Sequence, residues 1–258
     1  MANSMLPQVL HRDPFHKPAL SPGPLGHNDY ASPDSPPNLL GDTPGPLGVR
    51  DHADPDVHTK IHAIRKSPLH LRISDPGVRF LWKEEFVQGI SERLHWPRGL
   101  SGVTLGAGYD MKERTKMQVA ADLRTVGLRA EESEQAACGA GLVGQEANRF
   151  VKKNRKTVIL NEAQALKLLR LILPGYEALV KHVLTVPLLQ HQYDALVSFA
   201  YNPGGRLAKV IKDINMGKEK DAMWQIAAAN TSGGEILKGL TARRKREIDL
   251  YMFGRYGS

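Results

Sequence analysis

The 258-residue sequence has one cysteine, Cys138, so no intramolecular disulfide can form and cysteine-cluster zinc sites are excluded. No apolar run approaches the roughly 18 to 20 residues that a membrane-spanning helix needs. Mean hydropathy is −0.35, and no membrane insertion is expected. The first residues, Met1 to Pro18, show no basic stretch followed by an apolar one, so a cleaved export signal is not expected either. Aromatic residues make up 6% of the chain, and no aromatic-interleaved basic patch is visible. The formal charge of +8 therefore predicts only salt-sensitive, sequence-blind attraction to polyanions, and nucleic acid is not an expected partner.

Proline and histidine are scarce after residue 76: thirteen of seventeen prolines and seven of ten histidines lie at or before it. Residues 1–76 carry 7 Lys+Arg against 8 Asp+Glu, whereas residues 77–258 carry 28 against 19, so the excess positive charge belongs to the second part. In the first part, SPGPLGHND at Ser21 to Asp29 nearly repeats as TPGPLGVRD at Thr43 to Asp51. Pro-Gly-Pro cannot propagate a helix or a central strand, because φ is fixed and an amide donor is missing. Two copies are too few for a solenoid, so residues 1–76 read as a Pro/Gly/His-rich linker or docking arm. Their unevenly spaced histidines suggest no metal site, and no cofactor is expected.

From Val78 onward the apolar spacing is helical. Phe80, Leu81, Phe86, Val87, Ile90 and Leu94 predict a helix over Val78 to Leu94. Further helices are predicted over Met111 to Val126, Glu131 to Cys138, Gln145 to Lys153, Glu162 to His182, Leu188 to Tyr201, Leu207 to Met216, Lys220 to Ala229 and Thr241 to Phe253. Asn161 and Gln164 form a capping box for the fifth, which Pro174 should kink or divide. Residues 77–258 are mainly α.

One stretch breaks this rhythm. Between Gly99 and Asp110, Val103, Leu105, Ala107 and Tyr109 alternate with Gly102, Thr104, Gly106 and Gly108, a period of two. A glycine-lined strand or hairpin results. Its glycine face admits a close backbone neighbour or a bulky ligand, with Thr104 as the polar group on it. A carboxyl near such a face, kept protonated, could act as general acid, with a second polar group activating water. Glu92 is the candidate acid, because the last turn of a helix penalises negative charge. It could equally be a solvated residue paired with Arg93 or Arg98. Asp110 shares Thr104's face but fits a capping box with Glu113. It can join Thr104 only if the chain bends at Gly106 to Gly108.

SGVTLGAGYDM resembles the Thr-x-Gly-x-Gly hairpin of phage-type lysozymes, in the variant of pesticin and related bacterial toxin lysozymes. Gln192 to Gly204 resembles the family's buried helix, and Gly239 to Glu247 its C-terminal Gly-Leu-x-x-Arg-Arg-x-x-Glu segment. The resemblance implies an α+β lysozyme-like fold, a helical lobe plus a small lobe carrying a short β-hairpin. It implies Glu92 as acid, Thr104 holding the attacking water and Asp110 as the second carboxylate, with Glu85 the substitute acid if the helix ends early. Many phage enzymes have an aspartate between acid and threonine; residues 93–103 contain no acidic residue. Trp96, Gly106, Gly108, Tyr109, Gln192, Tyr201 and Asn202 are candidate substrate contacts, although Tyr193, Ala195, Leu196, Phe199 and Ala200 have core spacing. Arg243, Arg244 and Glu247 read as a structural ion-pair cluster.

The implied function is a muramidase cleaving the β-1,4 bond between N-acetylmuramic acid and N-acetylglucosamine of peptidoglycan. The toxin-like variant implies an antibacterial type VI secretion effector. Such a protein would be cytoplasmic in its producer, would act in the periplasm or wall of a target cell, and would have a cognate immunity protein, its arm docking on a secretion component. A prophage endolysin and a non-catalytic wall-binding module are the alternatives.

Overall fold

The computed structural model describes residues 64–232 and 234–257. The Pro-Gly-Pro repeats and most of the expected docking arm lie outside the described residues. The packed chain begins before residue 77. Lys66 exchanges backbone hydrogen bonds of 2.8 and 3.0 Å with Leu188, a 3-10 turn follows at Pro68–His70, and Leu71 is fully buried. The composition break at Pro76 overshoots this point because Pro68 and Pro76 themselves sit in folded structure, the latter in the first turn of a helix, where no amide donor is needed.

Nine α-helices are described: α1 (Asp75–Glu85), α2 (Lys116–Thr125), α3 (Ala130–Ala137), α4 (Gly144–Asn154), α5 (Glu162–Val183), α6 (Gln190–Tyr201), α7 (Leu207–Asn215), α8 (Glu219–Ala227) and α9 (Lys238–Phe253). Two antiparallel hairpins accompany them, β1 (Thr104–Leu105) with β2 (Tyr109–Asp110), and β3 (Thr231–Ser232) with β4 (Glu235–Ile236). The second hairpin has no alternating apolar pattern to announce it; Glu235 and Ile236 are both exposed. The fold is mainly helical, as expected.

Two apolar cores organise these elements. One gathers Val78, Phe80 and Leu81 of α1 with α6, α7, α8 and the end of α9. The other gathers Leu94, Val103, Leu105, Tyr109 and Met111 with α2, α3 and α4. Helix α5 serves both, placing Ala165 and Leu168 in the second and Leu169, Leu173 and Val180 in the first. Pro174 does not divide it. The ring lies on the exposed side, where the carbonyl that loses its donor is open to solvent instead of buried, while Leu173 and Val180 keep the helix docked. Every residue of α6 from Gln192 to Tyr201 is buried, and its polar members Gln192, Asp194 and Ser198 are each hydrogen-bonded there.

The first helix is shorter than its apolar spacing suggests. It ends at Glu85, Phe86 turns to extended backbone, and Gly89 takes φ +80°, which no helix accommodates. The three- and four-residue spacing nevertheless continues because it serves different cores on either side of the break. Leu81 faces the helical core, whereas Phe86 and Leu94 face the hairpin core.

Candidate active site

Glu85, not Glu92, ends the first helix. Its Oε1 lies 2.5 Å from Arg243 Nη1, and its side chain keeps 21% exposure. The neighbouring Glu84 receives a two-pronged contact from Arg246, at 2.6 and 2.7 Å. Both arginines project from α9, so the Arg-Arg-x-Arg segment clamps the end of α1. Arg243 also donates through Nε to Glu247 at 3.0 Å, and Glu247 accepts from Ser198 at 2.9 Å and from Arg244. Burial opposes the charge on Arg243, but Glu85 and Glu247 outweigh it and hold the guanidinium above its ordinary pKa. The expected ion-pair cluster is present, and it extends to the candidate acid.

Two tyrosines connect Glu85 with the first hairpin. Tyr176 and Tyr201 stack with ring centroids 4.4 Å apart, and the Tyr201 hydroxyl donates to the carbonyl of Ala107 at the hairpin tip. Burial, reinforced by the negative charge of Glu85, pushes Tyr176 up to about 12 and Tyr201 well above its usual value. Tyr201 is therefore a neutral donor throughout the physiological range. Gly108, at φ +115°, passes so close that a Cβ there would collide with the Tyr201 hydroxyl. Gly102 likewise meets the Asp110 carboxylate, whereas Gly106 packs more loosely, with Leu168 3.1 Å from where a Cβ would stand. Protein neighbours thus occupy the glycine face at these three positions, which corrects the expectation that Gly106 and Gly108 face substrate.

The chain does fold back at residues 106–108, and Thr104 stands directly opposite Asp110 in the β1–β2 register. Val103 and Met111 flank the pair with a 2.9 Å backbone bond, so Thr104 and Asp110 form the closer, non-hydrogen-bonded kind of cross-strand pair. Asp110 does not cap a helix. Its carboxylate accepts from the backbone amides of Lys112 at 2.9 Å and Gly102 at 3.3 Å, while α2 starts at a capping box of Thr115 and Gln118. Thr104 is buried, at 3% exposure, and the one hydrogen bond its hydroxyl makes among the described residues, to the Gly102 carbonyl, is long at 3.4 Å.

Glu92 sits in the turn beyond the helix. Its Oε1 accepts from the Gly89 amide at 2.9 Å, and its backbone carbonyl accepts from Leu160. Oε2 is shielded without a partner among the described residues, yet the Gly89 hydrogen bond outweighs desolvation and lowers the carboxyl pKa. That direction opposes a general acid. No ion pair joins Glu92 to Arg93 or Arg98 among the described residues. The helix-terminal position expected of Glu92 is held by Glu85, seven residues earlier.

Tyr109 is turned into the hairpin core, its hydroxyl 2.6 Å from Asp122 and its ring under Arg114. Trp96 is half-buried against the same core and donates to Ser101 carbonyl at 3.2 Å. Gln192 is buried and accepts from the Leu189 amide, closing the start of α6. Asn202 ends α6, and its carbonyl accepts from Arg244. Tyr109, Trp96 and Gln192 therefore serve packing and capping, and Tyr201 serves the hairpin. Arg243 was legible only as part of a cluster; its reach to Glu85 has no local sequence signal. Among the described residues no group of histidine, cysteine or carboxylates is arranged to hold a metal ion.

Residues 114–247 match the family described as phage lysozyme. The endolysin of Bacillus phage B103 is 37% identical over 99 residues, which is 37% of this chain and 38% of the relative. The endolysin of Bacillus phage PZA is 34% identical over 99 residues, again 37% and 38%. The chain thus aligns with well under two thirds of the length of these relatives. Among solved structures, the endolysin of Escherichia coli phage FAHEc1 gives a TM-score of 0.49 at 21% identity, covering 76% of this chain and all of that one. The muramidase domain of SpmX from Asticaccaulis excentricus gives 0.47 at 22%, covering 70% of this chain and 98% of that one. The family match begins after the first hairpin, so Glu85, Thr104 and Asp110 rest on geometry.

Proposed function

The chain belongs to the phage lysozyme family, and from that premise we propose that it is a muramidase with Glu85 as general acid. The observation that carries this assignment is the placement of Glu85 at the end of α1, fixed by Arg243 and adjoining the tyrosine that grips the hairpin. A peptidoglycan strand would present its β-1,4 linkage between N-acetylmuramic acid and N-acetylglucosamine. Glu85, protonated, gives its proton to the glycosidic oxygen as the bond from that oxygen to C1 of the muramic acid breaks. A water beside Thr104 adds its oxygen to C1 and passes its proton to Asp110, which completes hydrolysis without a cofactor. Preset positions for acid and water reduce the entropy that the reaction must otherwise lose.

Release of reducing ends from purified cell walls tests this reading. Glu85→Gln should lose at least about a hundredfold of the wild-type rate, the scale of general-acid catalysis. Glu92→Gln should stay within a few-fold of wild type. Equal activity of Glu85→Gln and wild type would overturn the assignment. Binding to walls without hydrolysis by the wild type would instead identify a wall-binding module.

The two readings of origin share this substrate. The hairpin variant, with Asp110 six residues after Thr104, supports an antibacterial effector delivered into the wall compartment of a target cell and neutralised by an immunity protein. The description of the matched relatives as endolysins supports a prophage lysis enzyme. Affinity capture from the producing strain separates them: a small protein that inhibits wall hydrolysis is expected of an effector and not of an endolysin.

A further inference from the structure

His95 is a third member of the Thr104–Asp110 row, and the reaction above leaves it without a role. Residues 94–96 run alongside β1, and His95 exchanges two backbone hydrogen bonds with Thr104, both 2.9 Å. Directly paired residues of adjacent extended segments project from the same face, about 5.5 Å apart at Cα for a hydrogen-bonded pair. Thr104 is paired on its other side with Asp110. An imidazole, a hydroxyl and a carboxylate therefore stand abreast across three adjoining segments.

The ring is held from one side. Nδ1 lies 3.1 Å from the Arg93 carbonyl, an acceptor only, so Nδ1 carries the proton and Nε2 is left as an acceptor. Nε2 has no hydrogen bond among the described residues. Thr104 meanwhile has only the 3.4 Å contact to Gly102, too long to fix its hydroxyl rotor. A hydroxyl that has to present its oxygen to water needs its hydrogen committed elsewhere.

We propose that His95 is a positioning residue of this site, its Nε2 accepting the Thr104 hydroxyl hydrogen so that the threonine oxygen is left to hold water beside Asp110. The proposal rests on the assignment of Thr104 and Asp110 to the hydrolytic site. Burial lowers the His95 pKa, with the Arg93 carbonyl opposing; Arg155 lowers it further and Asp110 raises it. Glu92 and Arg93 are the charged neighbours in its own segment. The imidazole is therefore neutral at pH 7. As pH falls through its titration, Nε2 gains a proton, ceases to accept, and Thr104 loses its orientation.

Two isosteres distinguish this role from a structural one. Asn places an amide where Nδ1 stands and keeps the Arg93 contact; Gln places an acceptor near Nε2. For wall hydrolysis by the full chain, His95→Asn should lower kcat about tenfold or more with KM within twofold of wild type. His95→Gln should retain more of kcat and lose the acid-side fall of the wild-type pH profile below about pH 6.5. A wild-type kcat and pH profile in His95→Asn would overturn the proposal, as would equal losses in both variants that follow their thermal stability. NMR of the wild type decides the matter even if either variant fails to fold or walls are not hydrolysed. The Nδ1–H tautomer, together with a Thr104 methyl shift that titrates with His95, is expected. An Nε2–H tautomer, or a Thr104 signal indifferent to that titration, would refute it. An inactive wild type with the expected NMR behaviour would refute the muramidase assignment alone.

Discussion

Arg243 bridges two carboxylates that come from opposite ends of the chain's folded part: Nη1 lies 2.5 Å from Glu85 and Nε 3.0 Å from Glu247. Glu247 is fully buried and Arg243 nearly so, hence neither charge is tolerable alone. Arg243→Ala strands Glu247 with Arg244 as its remaining cation and releases Glu85 from its fixed position. Urea unfolding should show a loss of about 3–5 kcal/mol, the scale for removing one partner of a buried pair. Arg243→Lys keeps a charge but reaches only one carboxylate at a time, so an intermediate loss is expected. A loss under about 1 kcal/mol for Arg243→Ala would show that the pair contributes little.

Gly108 and Tyr201 are coupled by close approach. A methyl group at Gly108 would meet the Tyr201 hydroxyl, and the φ of +115° disfavours any side chain there. Gly108→Ala therefore carries a steric and a backbone cost. Tyr201→Phe removes the donor to the buried Ala107 carbonyl, costing about 1–3 kcal/mol, and also makes room. The double variant should then be more stable than the sum of the single effects allows, by about 0.5–3 kcal/mol in a double-mutant cycle. Additive effects would mean that the clash is relieved by movement of the hairpin instead of by loss of the hydroxyl.

How far the sequence disclosed these relationships depends on whether the signal is local. The period of two around Thr104 and the bend at residues 106–108 were readable because alternation and glycine placement are properties of one short segment. The Asn161–Gln164 capping box was readable for the same reason, and both of its hydrogen bonds form. The end of α1 was not, since the apolar spacing continues past Glu85 while its target changes from one core to the other. Gly89 was the local signal that could have arrested the helix. Asp110 and Glu113 have capping-box spacing, but Asp110 is committed to β2 and to the Lys112 amide, so the helix waits for Thr115. The contacts of Tyr201 with Ala107 and of Arg243 with Glu85 join residues 94 and 158 positions apart, a separation at which spacing carries no information.

Glu92 offers a pH test separate from catalysis. The Gly89 amide is the main reason that its carboxyl pKa lies below the ordinary 4.5, with Arg93 and Arg155 helping and burial opposing. A carboxyl whose folded pKa is depressed stabilises the fold fully above its unfolded value, and that contribution disappears as pH falls through the folded value. Glu92→Gln should therefore be less stable than wild type at pH 7, and the two should converge as pH falls below 4.5 and through the lowered folded value. Because Glu92 is only partly buried and its charged neighbours are screened by salt, the difference should also shrink in high salt. Thermal unfolding of both proteins across this range checks the sign. A gap that widens with acid would mean that Glu92 is held in its protonated form, the behaviour required of a general acid.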